Sequence, residues 1–308
     1  MVSRVSSFGQ QQLLIRGIQE NQARVFENQR QISTGRITDE FRGLGGSTGT
    51  ILGSRSFLSR VESYQQSITT IRGRIDSNDV QIGGIIGAVE SLQDNVLAAV
   101  ANNNAQGFSE QLEQTFQFLT NSLNSNIDGT FQFSGASTGT VPVNVTDLAS
   151  LAALPSVSDA FDNADIAFEA RIADGVDIDF GLLADEVATE TFQVLVDLYN
   201  FDNGPSGPLE GELDATQFAF LQTQVGALND ALDGLRQTEV DNGLSFNRLN
   251  VIEQQHADTV IFLQTFISEQ EDVDLAEAVT ELNNNQVALE ASFQAVASLS
   301  RLSLLNFL

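Results

Sequence analysis

The chain of 308 residues carries 14 basic and 41 acidic side chains, a formal charge of −27, with every basic residue an Arg and no Cys or Trp. Without Cys, thiolate and disulfide chemistry are excluded, and the acidic balance repels nucleic acid and anionic membrane alike. The charge is uneven: residues 1–100 hold ten Arg against nine acids, whereas residues 101–308 hold four Arg against 32 acids.

The first residues, MVSRVSSFGQQQLLIRGIQ, lack the continuous apolar region and small-residue cleavage site of a secretory signal. No apolar run reaches the roughly 18 residues of a spanning helix, so no membrane span is expected. From Leu14 onward, Leu14, Ile18, Asn21, Val25, Asn28 and Ile32 repeat at steps of four and three, the spacing of a supercoiled seam. Asn at two seam positions specifies register and partner number at a cost in stability. Gly35 in Ser33-Thr34-Gly35 suits a left-handed C-cap that ends this helix.

Thr38 to Thr50 is a loop with Gly43, Gly45, Gly46 and Gly49, but the phosphate-cradling GxxxxGK[ST] pattern is missing and the chain has no Lys. The loop therefore reads as a joint between helical layers. From Ile51 to about Val100 the apolar signal is unbroken: Val61, Ile68, Ile75, Ile82, Val89 and Val96 recur every seven residues. Gly73, Gly83, Gly84 and Gly87 each cost this helix about 0.5–1 kcal/mol relative to Ala, which implies packing that uses them for close approach. A further helix is expected over Phe108 to Leu123.

The period then changes. Phe131 and Phe133 alternate with polar residues before Ser134-Gly135-Ala136-Ser137-Thr138-Gly139, marking a boundary. Ile166, Phe168, Ala170 and Ile172 alternate, Asp174-Gly175 supplies a turn, and Val176, Ile178 and Phe180 alternate again, which predicts a hairpin. Asp174, Asp177 and Asp179 do not follow the calcium-loop spacing. Helical spacing returns over Glu186 to Phe201 and Ala215 to Gln237. A break at Asp241-Asn242-Gly243 is expected before a helix over Leu244 to Gln270, where His256, the single His, sits on the apolar edge beside Leu249, Ile252, Leu263 and Phe266. With no second His and no HExxH pattern, a seam position with a satisfied ring nitrogen is favoured over a metal ligand or catalytic base. In the last stretch, Leu275, Val279, Leu282, Gln286, Leu289, Phe293, Val296 and Ser300 repeat the four-three spacing, and Gln286 is expected to face Asn21 or Asn28.

The expected fold is mainly α: long antiparallel helices from both termini forming a coiled-coil-like rod, with a small β-containing inserted domain. Residues 1–45 and 266–308 read as terminal helical assembly segments, 46–136 and 184–265 as a helical rod domain, and 137–183 as the insert. The assembly seam comprises Leu14, Ile18, Val25, Ile32, Leu275, Val279, Leu282, Leu289, Phe293 and Val296. No catalytic residue, cofactor or metal is assigned, because acids on helices read as solvated faces and one seam-bound His completes no Ser/His/Asp set.

Three segments, in order, resemble the bacterial flagellin and hook-associated family of axial proteins. Gln31-Ile32-Ser33-Thr34-Gly35-Arg36-Ile37 is similar to that family's helix-ending Q-x-S-T-G-[KR]-[RK] region. Asn247-Arg248-Leu249 is similar to its N-R-L, and Asp272-Val273-Asp274-Leu275-Ala276-Glu277-Ala278, followed by Gln286, Ala288 and Leu289, to its D-x-D-[FL]-A-E-A and Q-x-A-L. The ending Leu302-Ser303-Leu304-Leu305-Asn306-Phe307-Leu308 and the segment Thr130-Phe131-Gln132-Phe133-Ser134-Gly135 resemble the hook-filament junction branch of the family. Where the family usually carries D-D-P after S-T-G, this chain has Asp39-Glu40-Phe41.

The resemblance implies a structural subunit that connects hook to filament in a junction ring, with a flagellin forming the filament itself as the alternative. It implies export by the flagellar type III apparatus without a cleaved signal peptide, and an extracellular place in the flagellum. The implied partners are copies of the chain in a ring or helical assembly, a neighbouring hook-associated protein, flagellin and an export chaperone.

Overall fold

The computed structural model describes the backbone of residues 7–305 and the side chains between residues 12 and 298. The elements run α1 (Ser7–Thr34), a 3-10 turn (Phe41–Ser47), α2 (Thr48–Asn102), α3 (Phe108–Leu123), β1 (Asn126–Ile127), β2 (Thr130–Phe131) and α4 (Leu148–Ala152). They continue through a second 3-10 turn (Val157–Ala160), β3 (Glu169–Ala173), β4 (Val176–Asp179), α5 (Ala184–Asp202), α6 (Ala215–Glu271) and α7 (Leu275–Leu305). The fold is mainly α, with two antiparallel two-stranded sheets, β1-β2 and β3-β4, among the described residues. Two compact units divide the chain: residues 1–60 with 259–308, called unit 1 below, and residues 61–258, unit 2.

Unit 2 is organised by seven-residue repeats on two helices. Val61, Ile68, Ile75, Ile82, Val89 and Val96 on α2 are each at most 1% exposed. On α6, Leu221, Leu228, Leu235, Asn242, Leu249 and His256 have the same period and are all buried. The helices run antiparallel, since Gln93 Nε2 donates to Asn229 Oδ1 at 2.9 Å while the earlier Arg72 pairs with the later Glu253. The Arg72 hydrogen bond holds the Glu253 carboxyl below its usual pKa, against the opposing effect of desolvation.

The expected break at Asp241-Asn242-Gly243 is absent, and α6 runs through it. Asn242 occupies a repeat position, and its Nδ2 donates to the Ile75 carbonyl at 3.1 Å. Tertiary packing on both sides outweighs a turn signal whose Gly costs a helix only about 1 kcal/mol. Of the four glycines expected to serve close approach, one does so within the single chain. A Cβ on Gly73, Gly83 or Gly87 would meet nothing within 4 Å, whereas one on Gly84 would lie 3.2 Å from Phe118 Cζ of α3. Gly83→Ala and Gly87→Ala are therefore expected to stabilise unit 2 by about 0.5–1 kcal/mol each, and Gly84→Ala by less. Thermal unfolding of the three variants checks this, and a lower Tm for Gly87→Ala would contradict it.

The segment between α3 and α5 has no core of its own. Val143, Val145, Leu148, Leu151, Val157 and Ala160 share one apolar cluster with α2, α3, α5 and α6. The β1-β2 turn uses Asp128 and Gly129 with φ of 52° and 80°, a pair suited to a tight hairpin. The β3-β4 hairpin turns at Asp174-Gly175, with Gly175 at φ 73° and an irregularity between Arg171 and Ala173. Ile172 and Ile178 pack with Ile68, Ile71, Ile75 and Leu249, which fastens the hairpin to α2 and α6.

His256 completes that attachment. Its Nε2 lies 2.6 Å from the Ile172 carbonyl, and its ring stacks on Tyr64 at 5.7 Å. Tyr64 in turn donates its hydroxyl to Asp174 Oδ1 at 2.9 Å. The single His is thus a buried seam residue holding a strand. Among the described residues no group of three or more His, Cys, Asp or Glu side chains is arranged to hold a metal ion, and no helix is long and apolar enough to cross a membrane.

Candidate assembly surface

Unit 1 pairs the two chain ends. Asn21 Nδ2 donates to Ser292 Oγ at 3.4 Å, and Asn28 Nδ2 to Glu281 Oε2 at 3.1 Å, so α1 and α7 run antiparallel. On α1, Leu14, Ile18, Asn21, Val25 and Ile32 are half-buried and Asn28 is fully buried. The stripe that α7 turns toward α1 is Ala278, Leu282, Asn285, Leu289, Ser292 and Val296, again at steps of four and three. Leu282, Leu289 and Val296 of the predicted seam lie on this face. Leu275, Val279 and Phe293 lie beside it, 52%, 44% and 48% exposed.

Gln286 is exposed and does not meet the α1 asparagines. Asn285 takes that place, donating Nδ2 to Asn28 Oδ1 at 3.0 Å. The difference has a simple cause. Two four-three stripes overlap on α7, sharing Leu282, Leu289 and Val296, and the more apolar of them is the outer one. Ser300 and the Leu302–Leu308 ending fall outside the described side chains.

The motif segments from opposite ends of the chain meet at the base of the helix pair. Gly35, at φ 71°, ends α1 with its N–H on the Gln31 carbonyl at 2.8 Å. Val273 N–H donates to the Gly35 carbonyl at 2.9 Å and Ile37 N–H to the Glu271 carbonyl at 2.8 Å, bridging Arg36 and Asp272. Asp274 caps α7 by accepting from Ala276 N–H at 2.8 Å and Glu277 N–H at 3.2 Å. Arg55 pairs with the largely buried Glu271 carboxylate. The pairing of Arg55 with Glu271 was not foreseeable from local spacing, because its partners are 216 positions apart.

The helix pair has two unlike sides. One opens as a polar groove of about 300 Å³ lined by Arg24, Asn28, Gln31, Glu281, Asn284 and Asn285. At 100° per residue, the opposite flank of α1 carries Ile15 and Phe26, and that of α7 carries Leu275, Val279 and Phe293. All five are exposed, Phe26 by 69%. Among the described residues, unit 1 holds thirteen exposed large apolar side chains but only three buried apolar ones, Ile51, Leu263 and Ala278. This is far more uncovered apolar surface than a solitary soluble unit presents.

Asn28 has no apolar role, and its hydrogen bonds fix how α1 slides along α7. Asn28→Leu is expected to raise the thermal stability of the helix pair by about 1 kcal/mol while admitting shifted registers. Size-exclusion chromatography would then show heterogeneous association; an unchanged single species would contradict the register role.

Residues 225–308 match the family described as the bacterial flagellin C-terminal helical region. In fold, the chain is similar to a protein described as a flagellar hook-associated protein of Vibrio parahaemolyticus, with a TM-score of 0.57 at 17% identity, covering 73% of this chain and 97% of that one. It is also similar to FlgL of Bacillus cereus, with a TM-score of 0.50 at 11% identity, covering 65% of this chain and 98% of that one. No curated protein matches the chain in sequence. Residues 225–308 thus match a flagellin C-terminal helical region, and the chain shares its fold with these two solved structures.

Proposed function

We propose that the chain is the subunit of a junction ring that connects flagellar hook to filament. The observation that carries this reading is the uncovered apolar side of the α1–α7 pair, a surface that copies of the chain complete for one another. The terminal segments 1–45 and 266–308 make the contacts along the axis, with a hook-associated protein on one side and flagellin on the other. The chain reaches its extracellular place through the flagellar type III apparatus, with a chaperone holding the terminal segments apart before export. Its work is mechanical and it catalyses no reaction.

The match of residues 225–308 to a flagellin region favours a second reading, a flagellin that builds the filament itself. One experiment separates the two. Purified chain is added to isolated hooks that carry the preceding hook-associated layer, and the tips are followed by electron microscopy. A junction subunit adds a layer of fixed length and stops. Open-ended growth would identify a filament subunit, and failure to add would contradict both.

A further inference from the structure

We propose that α7 has two settings against α1, related by a rotation of about 50° about its own axis, and that Asn28 is the latch that selects between them. In the observed setting the apolar stripe through Leu275, Val279 and Phe293 faces outward. In the other it packs on α1 and is covered. The rotation lies wholly within the α1–α7 pair of unit 1 and does not depend on what the flank contacts.

Leu282, Leu289 and Val296 belong to both stripes of α7 and are half-buried, so three of the side chains that meet α1 serve either setting. The other positions differ: Ala278, Asn285 and Ser292 in the observed setting, and Leu275, Val279, Gln286 and Phe293 in the second. At 100° per residue the mean directions of the two stripes are about 50° apart, half the step between neighbouring residues. Apolar burial favours the second setting. Hydrogen bonds hold the first, from Asn21 to Ser292 at 3.4 Å, Asn28 to Glu281 at 3.1 Å and Asn285 to Asn28 at 3.0 Å. Two opposed terms on one helix make a two-state element rather than a single fixed packing.

The latch follows from the burial of Asn28, whose amide is 4% exposed and needs a partner in either setting. Asn285 and Gln286 are consecutive and carry the same amide donor and acceptor. A rotation that takes Asn285 away from Asn28 brings Gln286 toward it, so no buried amide is left unpaired. The bridges from Val273 to Gly35 and from Ile37 to Glu271 lie before α7 begins. Val273 and Asp274 form the joint that absorbs the turn, with Asp274 keeping its hold on Ala276 and Glu277.

Disulfide trapping in the full chain tests this, since the chain has no Cys of its own. Three double variants combine Asn21→Cys with Ser292→Cys, Phe293→Cys or Gln294→Cys. Intramolecular closure in a glutathione redox buffer is followed at high dilution by non-reducing electrophoresis, with circular dichroism confirming unchanged helix content. The sulfurs join only where the Cβ atoms approach to about 4.5 Å. The Ser292 pair reports the observed setting and the Phe293 pair the rotated one, while Gln294 lies more than about 100° from α1 in both. The Phe293 pair is expected to close at least about 10-fold faster than the Gln294 pair. Adding Asn285→Ala should speed that closure about 5-fold and adding Gln286→Ala should slow it about 5-fold, one net hydrogen bond each. Equal closure of the Phe293 and Gln294 pairs would overturn the second setting, and equal effects of Asn285→Ala and Gln286→Ala would overturn the latch. If the Ser292 pair failed to close, the helix pairing itself would be wrong and the proposal would fall with it.

Discussion

Replacing Leu275, Val279 and Phe293 together by Gln will leave the folded monomer intact and abolish association between copies. The three side chains are 52%, 44% and 48% exposed in the single chain, so the fold loses little when they become polar. If copies cover them, each buries on the order of 50 Å² of apolar surface, roughly 1–1.5 kcal/mol at about 25 cal/mol per Å². Together they supply on the order of 4 kcal/mol per contact, or about 10³-fold in the association constant. Leu282→Gln with Leu289→Gln is the contrasting pair, because those residues share the face with Asn285 and Ser292 that lies on α1. It should open the α1–α7 pair within the monomer, seen as faster amide exchange in both helices. If the outer triple variant loses the helix pairing while the inner pair does not, the assignment of the two stripes is reversed.

The stripes also show what was legible in the sequence. Period survives translation into structure well: the seven-residue repeat from Val61 to Val96 became the buried face of α2 without exception. The hairpin at Asp174-Gly175 was equally local, since alternation and a turn dipeptide lie within fifteen residues. Phase was harder. On α7 the stripe through Leu275, Val279 and Phe293 is richer in apolar residues than the one through Ala278, Asn285 and Ser292, yet the poorer stripe faces α1. Hydrophobicity ranks faces of a helix, but the partner decides which face is covered first. Asn242 failed for a related reason, because Asn-Gly signals a turn only where neither residue has a tertiary partner, and Asn242 has the Ile75 carbonyl. Reading the repeat from Leu221 through Leu235 to Leu249 across that position would have joined the two helices. Pairs such as Arg55 with Glu271 and Tyr64 with His256 join distant segments and left no local trace.

The other large effect concerns the core of unit 2. Phe192 on α5 is fully buried, its ring 5.5 Å from Phe116 of α3 and 5.3 Å from Phe161 of the segment that follows α4. One side chain therefore ties two helices to the irregular segment between them, where backbone pairing is sparse. Phe192→Ala should cost about 3–5 kcal/mol, the removed burial plus the cavity left by three elements that cannot all close on it. Against a typical total of about 5–15 kcal/mol this is a large share. Urea denaturation should show a lowered midpoint at unchanged slope. Phe118→Ala on α3 is the control: that ring is 45% exposed, and its loss should cost below about 1 kcal/mol. Phe192→Leu, which keeps most of the volume, should fall between them. If Phe192→Ala cost no more than Phe118→Ala, the aromatic cluster would not be what holds the segment between α3 and α5, and the backbone bridges from Ser134 to Leu183 and from Val143 to Phe161 would have to do so instead.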